Sequence, residues 1–336
     1  MAKITYLFGA GASRNALPII KEIPDRLERL ISIVHEPEYC LDNSYFSDKE
    51  GINKKTKRQY QSEMIETLQW LWDKSKGHAS VDTFAKKLFI KGQTADLKKL
   101  KIALSIFFAC EQAIKPPDIR YDSFFSSIME RSINLPENIR IITWNYDYQF
   151  EISFSEYSDQ KIILHNQPRL NTQLKNFINV ADPGFCIIKL NGTAGLFSQG
   201  AYAPFLYTDY NGPFSKDFIE IITQRYALIS STSTFLSTFF FSWEESFDPD
   251  RDIVKLAIKN TSDSQVLIVI GYSFPFFNRN VDRQIIKSMK ELKKVYFQAP
   301  DSDLIKERFQ AIRDDIPENK LVPRIDIEQF LLPNEL

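Results

Sequence analysis

The chain has 336 residues, enough for one large α/β domain or a core with a second module, and its 43% apolar and 25% charged residues are those of a folded globular protein rather than a disordered one. Lys and Arg (42) nearly cancel Asp and Glu (43) to a formal charge of -1, so no overall basic field drives nucleic-acid binding, and none is expected. Cys40, Cys110 and Cys186 form no C-x-x-C pair, and no apolar run reaches the ~18 residues of a membrane helix; disulfide scaffolds, cysteine zinc sites and membrane spans are therefore not expected.

Met1-Ala2-Lys3 runs straight into the apolar Ile4-Thr5-Tyr6-Leu7-Phe8, too short and wrongly flanked for a signal peptide, and a cytoplasmic protein is expected. Residues 4–8 stop at Gly9 and read as a buried parallel strand feeding a turn. From Pro24 to Leu135 the pattern turns helical, with Met64, Leu68, Leu71 and Trp72 on one face, and a helix starts near Ser80 or Asp82. This stretch reads as a helical insertion, 24–135, in a core made of 1–23 and 136–336. Strand character returns at 140–144 and 186–190. Residues 197–249, rich in Phe, Tyr, Ser and Thr, read as helices covering a cleft. The last third alternates helix 252–259, strand 266–270, helix 281–292, strand 295–297 and helix 302–312, the signature of a doubly wound parallel sheet.

Four polar turns each follow a predicted strand. Gly9-Ala10-Gly11-Ala12-Ser13 offers small residues and a helix start to a pyrophosphate, although a tight turn without ligand would use the same glycines and Arg14 stands where the common fingerprint has its third glycine. Thr143-Trp144-Asn145-Tyr146-Asp147 puts Asn145 and Asp147 beyond a strand end, where they could meet a ligand or cap the next helix. Lys189-Leu190-Asn191-Gly192-Thr193 and Gly271-Tyr272-Ser273-Phe274-Pro275, with Asn278 and Asp282 beyond, are the other two. One such turn is commonplace, whereas four ending strands of one sheet point to a shared ligand.

In this order the four motifs resemble the sirtuin-like domains of bacterial antiphage defence systems, of which Thoeris is the best known. The resemblance runs from about Ile4 to Pro300. It implies a Rossmann-like fold with an inserted helical module, NAD as substrate, and hydrolysis to nicotinamide and ADP-ribose in an abortive response to infection. By the same resemblance Gly9, Gly11, Ala12 and Ser13, with Ala10 in the same turn, hold phosphates. Asn145 and Asp147 address the nicotinamide ribose. Gly271 and Ser273 line the adenosine side, Gly192, Tyr272 and Asn278 in the same or adjoining turns also belong to the NAD site, and a homo-oligomer or a partner encoded nearby supplies trigger recognition.

Two departures from that family are visible. The paired C-x-x-C zinc module of deacetylating sirtuins is absent, which disfavours protein deacylation and ADP-ribosyl transfer, and no metal is expected. The Lys-Leu-x-Gly motif usually carries a catalytic histidine, and here it carries Asn191, whose amide cannot act as a general base. Asp147 acting on water, or His165 after the strand-like 161–164, are the candidate replacements. The rival reading is a catalytically inactive NAD- or nucleotide-binding subunit that regulates or scaffolds a partner.

Overall fold

The computed structural model describes residues 1–47, 52, 54–158, 160, 163–175, 178, 184–198, 201–204, 214–231, 235–246 and 248–336. In chain order, strand β1 (Ile4–Phe8) precedes helices α1 (Ile23–Val34), α2 (Lys57–Lys76), α3 (Val81–Ile90) and α4 (Thr94–Ile114). Helix α5 (Ile119–Ile128) leads into β2 (Ile139–Thr143), α6 (Gln149–Ser155), α7 (Ile163–Arg169), β3 (Thr172–Leu174) and β4 (Cys186–Lys189). Then come β5 (Gly192–Ser198), β6 (Ala201–Pro204), α8 (Lys216–Ser231) and β7 (Phe235–Phe239). The last third is α9 (Ile253–Thr261), β8 (Val266–Ile270), α10 (Arg279–Ser288), β9 (Lys294–Gln298), α11 (Ser302–Gln310) and β10 (Leu321–Arg324).

These elements form two compact units. The first comprises Met1–Asn15, Pro117–Gly192 and Phe240–Leu336. Its seven strands lie in the order β10-β9-β8-β1-β2-β4-β3, all pairs parallel. Parallel strands buried on both faces should alternate their side chains between two cores, and they do. Leu7, Ile142, Ile188 and Val269 pack with Ile253 of α9, Ile285 of α10 and Phe309 of α11 on one face. Tyr6, Phe8, Ile141 and Ile268 pack with Phe124 of α5 and Phe150 of α6 on the other. The fold is therefore the expected doubly wound, Rossmann-like α/β sheet.

The second unit comprises Ala16–Pro116 and Thr193–Phe239. Helices α1 to α4 and α8 pack there with a three-stranded sheet of order β6-β5-β7. Met64, Leu68 and Leu71 are buried, as their spacing predicts. Ser80 is the cap of α3, accepting the Thr83 N–H, while Asp82 lies in its first turn.

Two expectations are corrected here. The helical module does not run to residue 135: Tyr121, Phe124, Phe125 and Ile128 of α5 enter the core of the parallel sheet, because their apolar stripe is matched by that face. Nor is 197–249 helical throughout, since one helix is joined there by strands β6 and β7 and the end of β5. Aromatic and β-branched richness fits a strand as well as a packed helix, and in Phe-Leu-Ser-Thr-Phe strand preference wins.

Candidate functional site

Strand register decides what meets what at the carboxyl edge of the sheet. Phe8 stands opposite Thr143 on one side and Ile270 on the other, and Thr143 stands opposite Lys189. The four strand ends are thus level, and the turns that begin at Gly9, Trp144, Leu190 and Gly271 leave the sheet along one line. From β1 the chain goes first to β2 on one side and returns later to β8 on the other, so the topological switch point lies between β1 and β8. Ligands of open α/β sheets bind outside the carboxyl ends of the strands at such a point.

The glycines of the first and fourth turns pack on each other. Gly9 N–H donates to the Ile270 carbonyl at 3.0 Å, and Gly11 N–H to the Gly271 carbonyl at 2.9 Å. A Cβ on Gly271, whose φ is +58°, would lie 2.3 Å from the Ala12 nitrogen, and one on Gly9 would lie 2.7 Å from Tyr272. The requirement for glycine here is close approach of two backbones. The Gly9 and Gly11 N–H groups are committed to this contact, and the Ala12 N–H donates to the Gly9 carbonyl. These three N–H groups are therefore not an open phosphate cradle. Ala10 is exposed and Gly11 half-buried on the outer side of the turn, and residues 10–13 form one 3₁₀ turn.

Ser13 is the centre of a buried network. Its Oγ donates to Asp147 Oδ2 at 2.7 Å and accepts from Asn145 Nδ2 at 3.2 Å, with the Tyr121 hydroxyl at 2.8 Å as a third partner. A hydroxyl has one proton and two lone pairs, so this set saturates it. Asn145 Nδ2 also donates to the Gly9 carbonyl at 3.1 Å, which uses both amide protons and ties the second motif to the first. Its Oδ1 makes no hydrogen bond among the described residues. The other oxygen of Asp147, Oδ1, accepts the Gln149 N–H at the start of α6, so this carboxylate caps that helix as well as holding Ser13. Burial raises the Asp147 carboxyl above its usual range, against the lowering effects of the Lys189 charge and the Ser13 and Gln149 bonds.

Asn191 is also buried. Its Nδ2 donates to the Tyr146 hydroxyl at 3.2 Å, and its Oδ1 has no partner among the described residues. Turning the amide over would leave the other end unsatisfied instead, so among the described residues one acceptor or donor at the end of β4 is unpartnered. His165 does not join this set: it is exposed, with Gln160 Oε1 as its partner at 3.1 Å. Gly192 has φ +72° where β5 begins. Tyr272 is buried, Ser273 is exposed and its carbonyl accepts from Arg308, and Asn278 ends the short 3₁₀ turn before α10.

Three residues shape the site in ways the motifs do not foretell: Arg120, which lies outside them, and Lys189 and Asp282, which lie within or beside them without an assigned role. Arg120 donates to the Ala12 carbonyl at 2.8 Å while paired to Asp118, and so fixes the first turn from behind. Lys189 is fully buried, donating to the Asp147 carbonyl at 2.6 Å and pairing with Glu151 at 2.8 Å. A lysine closing an otherwise apolar strand was the signal available for it. Asp282 accepts from both Trp144 and Tyr272. Among the described residues there is no group of three or more His, Cys, Asp or Glu side chains placed to hold a metal. No helix of the described chain is long and apolar enough to cross a membrane.

No family model matches the chain, and no curated protein sequence matches it. Among solved structures, a Sir2 homolog in complex with NAD is similar over 93% of this chain and 91% of that one, at 11% identity and a TM-score of 0.37.

Proposed function

We propose that this chain binds NAD at the carboxyl edge of its parallel sheet and hydrolyses it to nicotinamide and ADP-ribose, as an abortive-infection effector. The observation that carries the reading is the convergence of the four motifs on one line beside the switch point, where Asn191 Oδ1 is buried without a partner among the described residues and the Asn145 amide is held through its nitrogen, leaving its oxygen as the acceptor. Amide oxygens are acceptors and suit the hydroxyls of a ribose, which are donors. The order of the motifs along the sequence supplies the family expectation, and the geometry is compatible with it.

In this reading Asn145 orients a ribose hydroxyl or the attacking water through Oδ1. Asp147 acts behind it: its oxygens are taken by Ser13 and Gln149, so it holds the first turn and contributes negative charge near the ribose. Nicotinamide departs from a cationic ring as a neutral molecule and requires no general acid. The phosphates fall to the outer side of the 10–13 turn.

One observation favours the rival, an inactive nucleotide-binding subunit. Among the described residues of the four turns no general base stands free, because Asn191 is an amide and both oxygens of Asp147 already accept hydrogen bonds. Loss of a general base costs on the order of 10²–10⁴-fold, which slows hydrolysis without forbidding it. Incubating the purified full-length protein with NAD, with and without its partner and trigger, and following nicotinamide release separates the two. Release abolished by Asn145→Ala supports the enzyme; NAD binding with no release under any condition establishes the rival.

A further inference from the structure

The strand ends carrying the second and fourth motifs are not neighbours, because β1 lies between β2 and β8. Two strand spacings, ~9–10 Å, separate them, and no ladder hydrogen bond spans that gap. A side-chain bridge does. The Trp144 and Tyr272 rings stack at 6.1 Å with 15° between their planes. Tyr272 closes over Gly9, which explains why no side chain is tolerated there. Beneath the stack, Trp144 Nε1 donates to one oxygen of Asp282 at 3.1 Å and the Tyr272 hydroxyl donates to the other at 2.7 Å.

We infer that Asp282 is the positioning residue of this site: its carboxylate ties the end of β2 to the end of β8 across the β1 turn and so sets where Asn145 stands relative to the Gly271–Ser273 turn. Trp144 directly precedes Asn145 and Tyr272 directly follows Gly271, so a displacement of either ring moves a motif. Asp282 is 2% exposed, Tyr272 3% and Trp144 5%. A carboxylate so buried is costly unless hydrogen-bonded. Here both oxygens serve the only donor that each ring possesses. Asp282 itself touches no ligand. Its consequence for turnover rests on the NAD reading above; the tie itself does not.

The test uses the full-length protein with Asp282→Ala, Asp282→Asn and Tyr272→Phe. Three quantities are read: the melting transition, the kcat and KM for NAD, and the indole N–H resonance of Trp144, assigned with Trp144→Phe. At a temperature where it remains folded, Asp282→Ala should lose ~10-fold or more in kcat while KM stays within about threefold, because misplacement of a reacting group appears in kcat. Asp282→Asn should recover to within about threefold of wild type. Its oxygen can accept from Trp144 and its amide can donate to the Tyr272 oxygen. The Trp144 resonance should move in Asp282→Ala and in Tyr272→Phe. A folded Asp282→Ala with wild-type kcat, or an unmoved resonance, overturns the inference. If the wild type releases no nicotinamide under any condition, the hydrolysis reading fails and the resonance alone judges the tie. If Asp282→Ala does not fold, Tyr272→Phe, which deletes a single donor, must show the moved resonance, or the inference falls.

Discussion

At the residue scale, the two asparagines Asn145 and Asn191 have different expected weights. Asn145 is anchored by both amide protons, so its oxygen is preorganised, and an interaction made chiefly in the transition state appears in kcat. Asn145→Ala is expected to lower nicotinamide release by ~10²-fold or more while NAD affinity falls far less. Asn191 is held by one weak contact and should matter less. Asn191→Ala is expected to be milder, and Asn191→His to leave activity equal or raise it; steady-state kinetics of the three variants check the order. Asp282 adds a pH dependence. Burial lifts its carboxyl to about 7, although Tyr272, Trp144 and Arg279 each lower it. An unfolded aspartate titrates near ~4, so between ~4 and 7 the folded state binds the extra proton. Its stabilising contribution is complete below ~4 and is lost as pH rises through 7. The melting temperature of wild type minus that of Asp282→Asn should therefore be larger at pH 5 than at pH 8, and a difference that does not change with pH would refute the titration.

At the element scale, the glycine contact between the β1 and β8 turns holds the switch point together. Gly271→Ala adds a Cβ within 2.3–2.7 Å of Ala12 and Gly11 backbone atoms on a left-handed residue. Backbone cannot yield as a flexible side chain can. Gly92, in the turn between α3 and α4, also has a positive φ of +65°, but nothing lies within 4 Å of its Cβ position. Gly92→Ala should cost only the conformational penalty, roughly 1–2 kcal/mol. Denaturant titration should show Gly271→Ala losing at least ~2 kcal/mol more than Gly92→Ala. The same contact makes Gly11→Val an ambiguous probe of phosphate binding, since a Cβ there meets Gly271 at 2.8 Å whether or not a ligand is bound.

At the scale of the whole molecule, a ligand that binds only the folded state stabilises it by RT ln(1 + [L]/Kd), ~2.7 kcal/mol at a hundredfold excess. Millimolar NAD is expected to raise the melting temperature of the full chain, and an unchanged melt in both NAD and ADP-ribose would count against the proposed ligand. In cells, NAD should fall during infection, and Asn145→Ala should abolish the fall.

The parallel sheet and its polar turns were legible in the sequence because each depends on a local pattern. Runs such as Val-Leu-Ile-Val-Ile bury both faces, and small or polar residues mark where such runs stop. That Asn145 and Asp147 meet the first turn depends on β2 lying beside β1, which no local pattern states. Tertiary structure decided the rest, because those contacts join residues far apart in sequence. Gly271 reads as a turn residue until Gly11 is seen lying against it, and Asp282 reads as a helix-surface acid until Trp144 and Tyr272 are found at its two oxygens. Ser13 reads as a phosphate ligand until its single proton is found on Asp147. His165 stands apart from the buried network for the converse reason: residues 161–164 read as strand-like, yet Ile163–Arg169 form α7, and His165 on it is exposed with Gln160 as its partner. Local periodicity chooses elements, whereas hydrogen-bond capacity and packing volume choose partners, and both are settled only when the strands are in register.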